Sequence, residues 1–243
     1  MSGRPVAGAT TLLLALLVAL LARPTGAAGQ LQAGPTLLEI GPQATSTGLI
    51  LRNAGDTPVA AQVRVYAWSQ PEGADLLVPS DDIAVSPPIL EVPAGGEQVV
   101  RVVRLIPPVS GRDRSYRVVV DELPQAEGGG RGHVNLRLRY VIPAFLRAPG
   151  APPPTVACRI AGGGTHLACE NHGGRAARFG ASRLLTDRGE VLVLSDGLFG
   201  YVLPGSHRAW VLPEVRPELH GPALQLETSL NGQPATLEVD RIP

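Results

Sequence analysis

The sequence predicts an all-β protein made of two domains in tandem. Its 243 residues include 29 glycines and 24 prolines, the residue types that interrupt helices and form turns. Most apolar segments are short, rich in valine and leucine, and alternate with polar residues, as half-buried strands do. A dense run of prolines near the middle of the chain separates the predicted strands into two groups.

Residues 1–28 are predicted to be a secretory signal peptide. Arg4 supplies the positive charge, residues 11–22 form an apolar core, and residues 25–28 provide small side chains for cleavage. The alternative is an uncleaved anchor, but the apolar run has about a dozen residues whereas a membrane span needs roughly 20. We therefore expect an exported chain that begins near Gly29 and has no integral membrane segment after cleavage.

The first domain, residues 29–148, is predicted to be an immunoglobulin-like β-sandwich. Clear strand patterns occur at residues 36–40, 48–52, 59–68, 98–104, 114–123 and 132 onward, with a looser region at 79–92. Turn sequences at 53–56 and 93–96 separate them, because Asn and Gly tolerate positive φ. About seven strands in about 115 residues is the spacing typical of an immunoglobulin-like sandwich.

The last strand of this domain, within residues 132–149, is the segment expected to carry the function. Its apolar face consists of Val134, Leu136, Leu138 and Tyr140, and its polar face of Asn135, Arg137 and Arg139. It lies between a glycine run at 128–130 and the proline-rich linker, which favours a position at the edge of the domain. A strand edge with a regular apolar row is an aggregation liability, so its retention indicates a peptide-binding site.

A linker and a second, smaller β domain complete the chain. Residues 147–154 contain four prolines, which stiffen a linker and would hold the two domains at a roughly fixed angle. The second domain, residues 149–243, has predicted strands at 156–160, 166–170, 176–185, 191–194, 209–212, 223–230 and 236–241. The predicted fold class is thus two immunoglobulin-like β-sandwich domains joined at an angle by a proline-rich linker.

Two cysteines, Cys158 and Cys169, flank a glycine turn in the second domain. In an exported protein we expect them to form a disulfide, which by chain entropy is worth roughly 3 kcal/mol at most. A zinc set of Cys158, His166, Cys169 and His172 is the alternative, but its spacing differs from the usual ligand pairs. On a strand, His166 and Cys169 would also point to opposite faces. We therefore expect no metal.

Charge and motifs argue against nucleic-acid binding and catalysis. Lys plus Arg equals Asp plus Glu at 21 each, so net charge does not favour a nucleic-acid partner. The glycine run at 128–132 leads into a strand, without the helix N-terminus of a phosphate-binding loop. Ser182 and His207 have no visible catalytic partner in the sequence. The expectation is a non-enzymatic protein without a cofactor.

The first domain also contains several short motifs in a defined order. They are Ser80-Asp81-Asp82-Ile83, Ser86-Pro87-Pro88, residues 93–101 (PAGGEQVVR), Arg114-Ser115-Tyr116-Arg117, Glu122-Leu123-Pro124 and Ile142-Pro143-Ala144-Phe145. In this order and spacing they resemble the N-terminal domain of the periplasmic pilus-assembly chaperones of the chaperone-usher pathway. The resemblance covers residues 31–150, and the second half is similar mainly in size and strand content.

This resemblance implies that the last strand of the first domain is lent to a pilus subunit that lacks its own final strand. It places Val134, Leu136 and Leu138, with Tyr140 on the same face, at the donor positions. In the best-known members an Arg and a Lys hold the terminal carboxylate of the bound subunit, but the matching positions here are Pro35 and Pro143. The chain thus resembles the divergent, archaic branch. Arg139, which shares a strand face with Pro143, is the candidate replacement anchor, with Arg101 or Arg117.

The resulting prediction is a periplasmic chaperone that caps pilus, fimbrial or spore-coat-like subunits by donor-strand complementation. Its expected partners are those secreted subunits and an outer-membrane usher. The alternative is an exported immunoglobulin-like structural or adhesive module, in which Val134, Leu136 and Leu138 would face a closed core.

Overall fold

A computed structural model describes residues 31–124, 137–186, 189, 191–213 and 224–241. The predicted signal peptide and the donor residues Val134 and Leu136 lie outside these ranges. Within them the chain forms strands β1 to β18 in chain order and one 3₁₀ turn, Pro71–Gly73. The secondary structure of the described residues is otherwise strands and their connections, which agrees with the all-β prediction.

Ten strands between residues 31 and 146 form two sheets. The four-stranded sheet has the order β1-β3-β8-β6 and consists of β1 (Leu31–Gly34), β3 (Ser46–Asn53), β8 (Glu97–Arg104) and β6 (Ile83–Ser86). The six-stranded sheet has the order β2-β10-β9-β4-β5, with β7 also paired to β4. Its strands are β2 (Leu38–Ile40), β10 (Arg139–Leu146), β9 (Arg114–Glu122), β4 (Val59–Ser69), β5 (Leu76–Pro79) and β7 (Ile89–Val92).

The two sheets pack face to face around one apolar core. Alternate residues of each strand point inward, so that Leu49 and Leu51 of β3 meet Val63 of β4 and Val118 of β9 in the same buried cluster. The outward residues of the same strands are largely polar, as the alternation in the sequence predicted. The first half is therefore a β-sandwich.

The sequence did not resolve every strand of this sandwich. The region at 79–92 contains short strands β5, β6 and β7 rather than irregular chain, because prolines at 79, 87 and 88 interrupt the alternation that identifies longer strands. The predicted first strand at 36–40 corresponds to β2, whereas β1 precedes it and belongs to the other sheet.

The second half forms an eight-stranded sheet that closes around a second core. Its order is β14-β13-β17-β18-β11-β12-β16, with β15 paired to β13. The strands are β11 (Val156–Ala161), β12 (His166–Asn171), β13 (Ala177–Thr186), β14 (Val191–Ser195), β15 (Gly200–Val202), β16 (His207–Val211), β17 (Leu224–Leu230) and β18 (Gln233–Arg241). Phe179 on β13 packs against Trp210 on β16, at the far end of the order, with ring centroids 5.7 Å apart.

The two halves contact each other through an aromatic cluster. Trp68 at the end of β4 packs edge-on against Tyr201 of β15, with ring centroids 5.4 Å apart, and Phe145 of β10 joins them. Gln70 reinforces the contact: its amide nitrogen donates to the Tyr201 carbonyl and its amide oxygen accepts from the Leu203 N–H, each at 2.9 Å. These contacts fix how the second half sits against the six-stranded sheet.

Candidate functional site

The N-terminal part of β10 forms an edge of the six-stranded sheet. β10 pairs with β9 from Arg139 to Leu146, but its other neighbour, β2, pairs only with Ala144 to Leu146. No described strand therefore covers Arg139 to Pro143 on that side. The strand that the sequence predicted to lie at an edge does so over its N-terminal part.

The backbone groups of this edge alternate in direction. The carbonyl of Leu138 accepts a hydrogen bond from the N–H of Glu122 at 3.0 Å, so Leu138 points its backbone groups toward β9. In an antiparallel ladder the next residue points the opposite way. Arg139 and Val141 therefore present their N–H and C=O groups to the uncovered side, whereas Pro143, which points the same way, lies where the pairing with β2 begins. Proline is tolerated at such a position because its missing N–H would have pointed away from the sheet.

Side chains at this edge are apolar on both faces. Leu138, immediately before β10, is 37% exposed, and Val141 on the opposite face is 45% exposed. Tyr140 is half-buried against the first core, and its hydroxyl donates to the Leu31 carbonyl at 2.5 Å. The sequence analysis missed Val141 because it considered only the even-numbered, apolar face of the strand. A valine on the polar face, between Arg139 and Pro143, could have indicated a second apolar contact.

Arg139, the first candidate anchor, is part of a three-residue ion cluster. One oxygen of Asp121 on β9 accepts from Nε of Arg139, and the other accepts from Nη2 of Arg64 on β4 at 2.5 Å. Desolvation raises the pKa of the Asp121 carboxyl, but the hydrogen bonds from Arg64 and Arg139 outweigh it and hold that pKa below its usual value. One carboxylate is thus shared by two guanidinium groups.

Arg117, the second candidate, lies directly across from Pro143 in the β9–β10 register. Its guanidinium carbon sits 3.6 Å from the centroid of the Trp68 ring and 5.5 Å from that of Tyr201, a cation–π arrangement at the contact between the halves. Burial lowers the pKa of Arg117. It forms no ion pair with any described residue; the charge of Asp75 acts on it, but Asp75 is already paired with Arg208.

Arg101, the third candidate, lies elsewhere. It is an exposed residue of β8, in the four-stranded sheet, between Gly48 of β3 and Ser86 of β6. The even-numbered residues of β9 and β10 point into the first core, so the odd-numbered Arg117 and Arg139 share the outer face of the six-stranded sheet. The structure therefore brings two of the three predicted arginines to one face and leaves the third on the other sheet.

A cleft of about 310 Å³ between the halves contains further arginines. Arg147 at the end of β10 is bound to Asp113 and Glu39. Arg175 and Arg178, from the second half, also line the cleft and have no ion pair within the described part of the chain. Sequence reasoning missed this group because its members come from distant segments that only the packing of the two halves brings together.

The cysteines of the second half are bonded to each other. Cys158 on β11 and Cys169 on β12 are directly paired across the ladder, with an S–S distance of 1.99 Å and a Cα–Cα distance of 4.0 Å. The disulfide prediction is confirmed, and the alternative zinc set loses both thiolate ligands. Ser182, considered as a nucleophile, has its hydroxyl bonded to the Gly180 carbonyl and to Thr228, whereas His207 packs against Gly73.

Family comparison assigns the first half of the chain. Residues 30–152, which are 123 of the 243, match the pili and flagellar-assembly chaperones, in the part called the PapD N-terminal domain. The chain belongs to this family of pilus-assembly chaperones. The resemblance drawn from the sequence motifs is thus confirmed. No curated protein sequence matched the chain, and no helix among the described residues is long and apolar enough to cross a membrane.

Solved structures of such chaperones share the fold over almost the whole chain. The pre-assembly complex of the chaperone CsuC with the tip adhesion protein CsuE, from archaic chaperone-usher Csu pili of Acinetobacter baumannii, aligns with a TM-score of 0.70 and 24% identity over 88% of this chain and 100% of that one. The E. coli chaperone DraB aligns with a TM-score of 0.58 and 20% identity, over 87% of this chain and 97% of that one. The Salmonella enterica complex of SafA pilin with the SafB chaperone aligns with a TM-score of 0.61 and 15% identity, over 86% of this chain and 95% of that one. These alignments confirm the predicted two-domain fold.

Proposed function

We propose that this chaperone binds secreted subunits of a pilus, a fimbria or a spore-coat-like assembly and completes their folds with its own strand. The observation that supports this most is the uncovered edge of β10, where Arg139 and Val141 offer backbone groups that no described strand pairs. A subunit strand added there would satisfy these groups, and the groove of the subunit would cover the apolar side chains. The CsuC–CsuE and SafB–SafA complexes, which hold a chaperone with a tip adhesion protein or a pilin, support the same kind of partner.

In this proposal Val134, Leu136 and Leu138 would fill the subunit groove, while Tyr140, on the same face, is half-buried against the chaperone's own core. They have the same parity as Ile142 and Ala144, which are buried in the first core, so a continuing strand would point them in the same direction beyond the sandwich. Burying three aliphatic side chains of this kind contributes roughly 5 to 9 kcal/mol before the cost of ordering the chain. The backbone ladder would set the register.

The cellular setting is part of the same proposal. Cleavage after residue 28 would deliver a periplasmic chain with a subunit-binding domain at 29–148 and a second domain at 149–243. The chaperone would hand its subunits to an outer-membrane usher. No cofactor is invoked, because exchange of the lent strand for a better-fitting strand of the next subunit would drive release.

For the terminal carboxylate of the bound subunit, we propose Arg117 as the principal anchor among Arg139, Arg101 and Arg117. It lies across from Pro143, the position that matches the missing Lys of the resembled chaperones. It forms no ion pair among the described residues, and Asp75, whose charge acts on it, is paired with Arg208. A bound carboxylate would offset the cost of its partial burial. Arg139 already shares Asp121, and Arg101 lies on the other sheet.

The anchor is tested by comparing Arg117→Met with Arg139→Met and Arg101→Met in subunit binding. We expect Arg117→Met to weaken binding about tenfold or more, as loss of a charged hydrogen-bonded pair does, and the other two to have smaller effects. With the terminal carboxylate of the same subunit amidated, Arg117→Met should bind with the affinity of the unsubstituted chaperone. An unchanged affinity for Arg117→Met would move the anchor to the cleft arginines, Arg175 and Arg178, which the same assay can examine.

The function itself is tested by co-purification from the periplasm. The tagged chaperone is expressed with the small secreted β-proteins encoded beside its gene, and the complexes are analysed for one-to-one composition. We expect at least one of these proteins to be soluble only with the chaperone, and to be lost when Leu136 and Leu138 are replaced by Glu. Leu198→Glu, at a residue of the second half that is 62% exposed, is the matched control and should retain the complex.

Other outcomes contradict the proposal in distinct ways. If no co-expressed protein depends on the chaperone, the assembly function fails and a structural or adhesive module becomes the better interpretation. If the double Glu variant unfolds, Leu136 and Leu138 belong to a closed core rather than to a lent strand.

A further inference from the structure

The outer face of the β10 edge has more positive than negative charge. Asp121 accepts hydrogen bonds from both Arg64 and Arg139, so two guanidinium groups share one carboxylate. Arg137, two residues before Arg139, is exposed and forms no ion pair with any residue in the described ranges. Of these groups, the Arg139 side chain is 63% exposed and the Asp121 side chain only 14%. An approaching strand would therefore meet mainly the arginines.

These charges lie at the positions where an added strand would pair. Arg139 and Val141 direct both their backbone groups to the uncovered side and their side chains to the outer face of the sheet, and Arg137 has the same parity. Side chains directly opposite each other on neighbouring strands have Cβ atoms about 5 Å apart. Alternate residues of the added strand would thus lie beside Arg137, Arg139 and Val141 in turn.

We propose that the subunit strand that pairs with this edge carries carboxylates beside Arg137 and Arg139 and an apolar side chain beside Val141. A guanidinium group has five N–H donors in a fixed fork, and of those of Arg139 only the Nε–H donates to Asp121. A second carboxylate, from the partner, would complete a network of two carboxylates and two guanidinium groups with Asp121, Arg64 and Arg139. Val141, which is 45% exposed, would be covered by the apolar residue. This inference rests on the proposed strand addition and specifies the chemistry of the partner.

The experiment uses synthetic peptides as the probe and the full mature chaperone as the receptor. Three peptides of alternating valine and threonine, with amidated C-termini, differ only at the two positions beside Arg137 and Arg139, where they carry Asp, Ser or Lys. Binding is followed by NMR titration of the Arg139 and Val141 amide signals, at low salt and at about 0.5 M NaCl, where screening shortens to a few ångströms. Arg139→Glu with Arg137→Glu is the charge-reversed variant, and Arg52→Glu, at an exposed residue of the other sheet, is the control.

We expect the Asp peptide to bind about fivefold or more tightly than the Lys peptide at low salt, which is the range of two exposed ion pairs. Salt should reduce this preference, the charge-reversed variant should invert it, and Arg52→Glu should leave it unchanged. Equal affinities for the three peptides would overturn the acidic-partner inference while leaving strand addition intact. If none of the peptides shifts the Arg139 and Val141 amides, strand addition at this edge fails as well.

Discussion

The hydroxyl of Tyr140 on β10 donates a hydrogen bond to the backbone carbonyl of Leu31 on β1. This bond connects the six-stranded sheet, to which β10 belongs, to the four-stranded sheet, to which β1 belongs. Tyr140 is half-buried against the first core, whereas Leu138, two residues earlier, is exposed. The predicted donor face therefore changes, between these two residues, from a part of the protein's own core to a surface available to a partner.

Tyr140→Phe and Leu138→Ala should separate these two roles. Tyr140→Phe removes one intramolecular hydrogen bond, so we expect stability to fall by about 1 kcal/mol and subunit binding to remain. Leu138→Ala should lower stability by less than about 0.5 kcal/mol, but should weaken subunit binding on the order of tenfold. Urea unfolding and a binding titration measure both quantities. The opposite pattern would show that Leu138 serves the core and Tyr140 the partner.

Proline substitution tests the direction of the backbone groups along β10. The N–H of Val141 points to the uncovered side, so Val141→Pro should retain the fold and lose subunit binding. The N–H of Ile142 points toward Val118 of β9, so Ile142→Pro should be destabilised by about 3 kcal/mol or more. Circular dichroism and thermal unfolding report on the fold. Equal destabilisation of the two variants would mean that β10 is covered on both sides.

The Asp121 cluster should stabilise the protein in a pH-dependent way. Because Arg64 and Arg139 lower the pKa of Asp121, its contribution is complete above the ordinary Asp pKa of about 3.9 and is lost as the pH falls through the lower, folded-state value. Asp121→Asn should thus cost up to about 1 kcal/mol at neutral pH, and the difference from wild type should shrink below about pH 4. Asp56→Asn, in an exposed turn, is the control. A difference that grows with acidification would contradict this assignment.

Gln70 should hold the two halves together. It is buried, and Gln70→Ala would leave the Tyr201 carbonyl and the Leu203 N–H without their partner. Unsatisfied buried groups cost about 1 to 3 kcal/mol each, so we expect a loss of about 2 kcal/mol or more and a broader distribution of inter-domain distances by small-angle X-ray scattering. Gln98→Ala, at an exposed residue of β8, should change neither quantity.

The sequence predicted the elements whose signals are local. Strands β4, β8 and β9 were predicted to within a few residues, because each is a run of at least eight residues that is rich in valine. Strand β15 was missed because three residues are too few to show a period. The cysteine pairing was also predictable, since the two residues flank a hairpin turn.

Properties that depend on how distant segments meet could not be predicted in this way. For the strand at 59–68 the alternation left open which face is buried, and in the structure both faces are covered in part: Val63 lies in the first core and Trp68 lies against Tyr201. The ion pair of Arg139 with Asp121 depends on the β9–β10 register, and the contact of Arg117 with Trp68 depends on the pairing of β9 with β4. A single strand specifies neither. The cleft arginines depend on the packing of the two halves.

Hydrogen exchange of the β10 amides, in the chaperone alone and bound to a subunit recovered by co-purification, is the most direct test of strand addition. In the chaperone alone, we expect fast exchange at Arg139 and Val141, and protection at Tyr140 and Ile142, whose N–H groups face β9. In the complex, Arg139 and Val141 should become protected, while Tyr140 and Ile142 should change little. If Arg139 and Val141 still exchange rapidly in a stable complex, the subunit binds elsewhere and β10 does not accept an added strand.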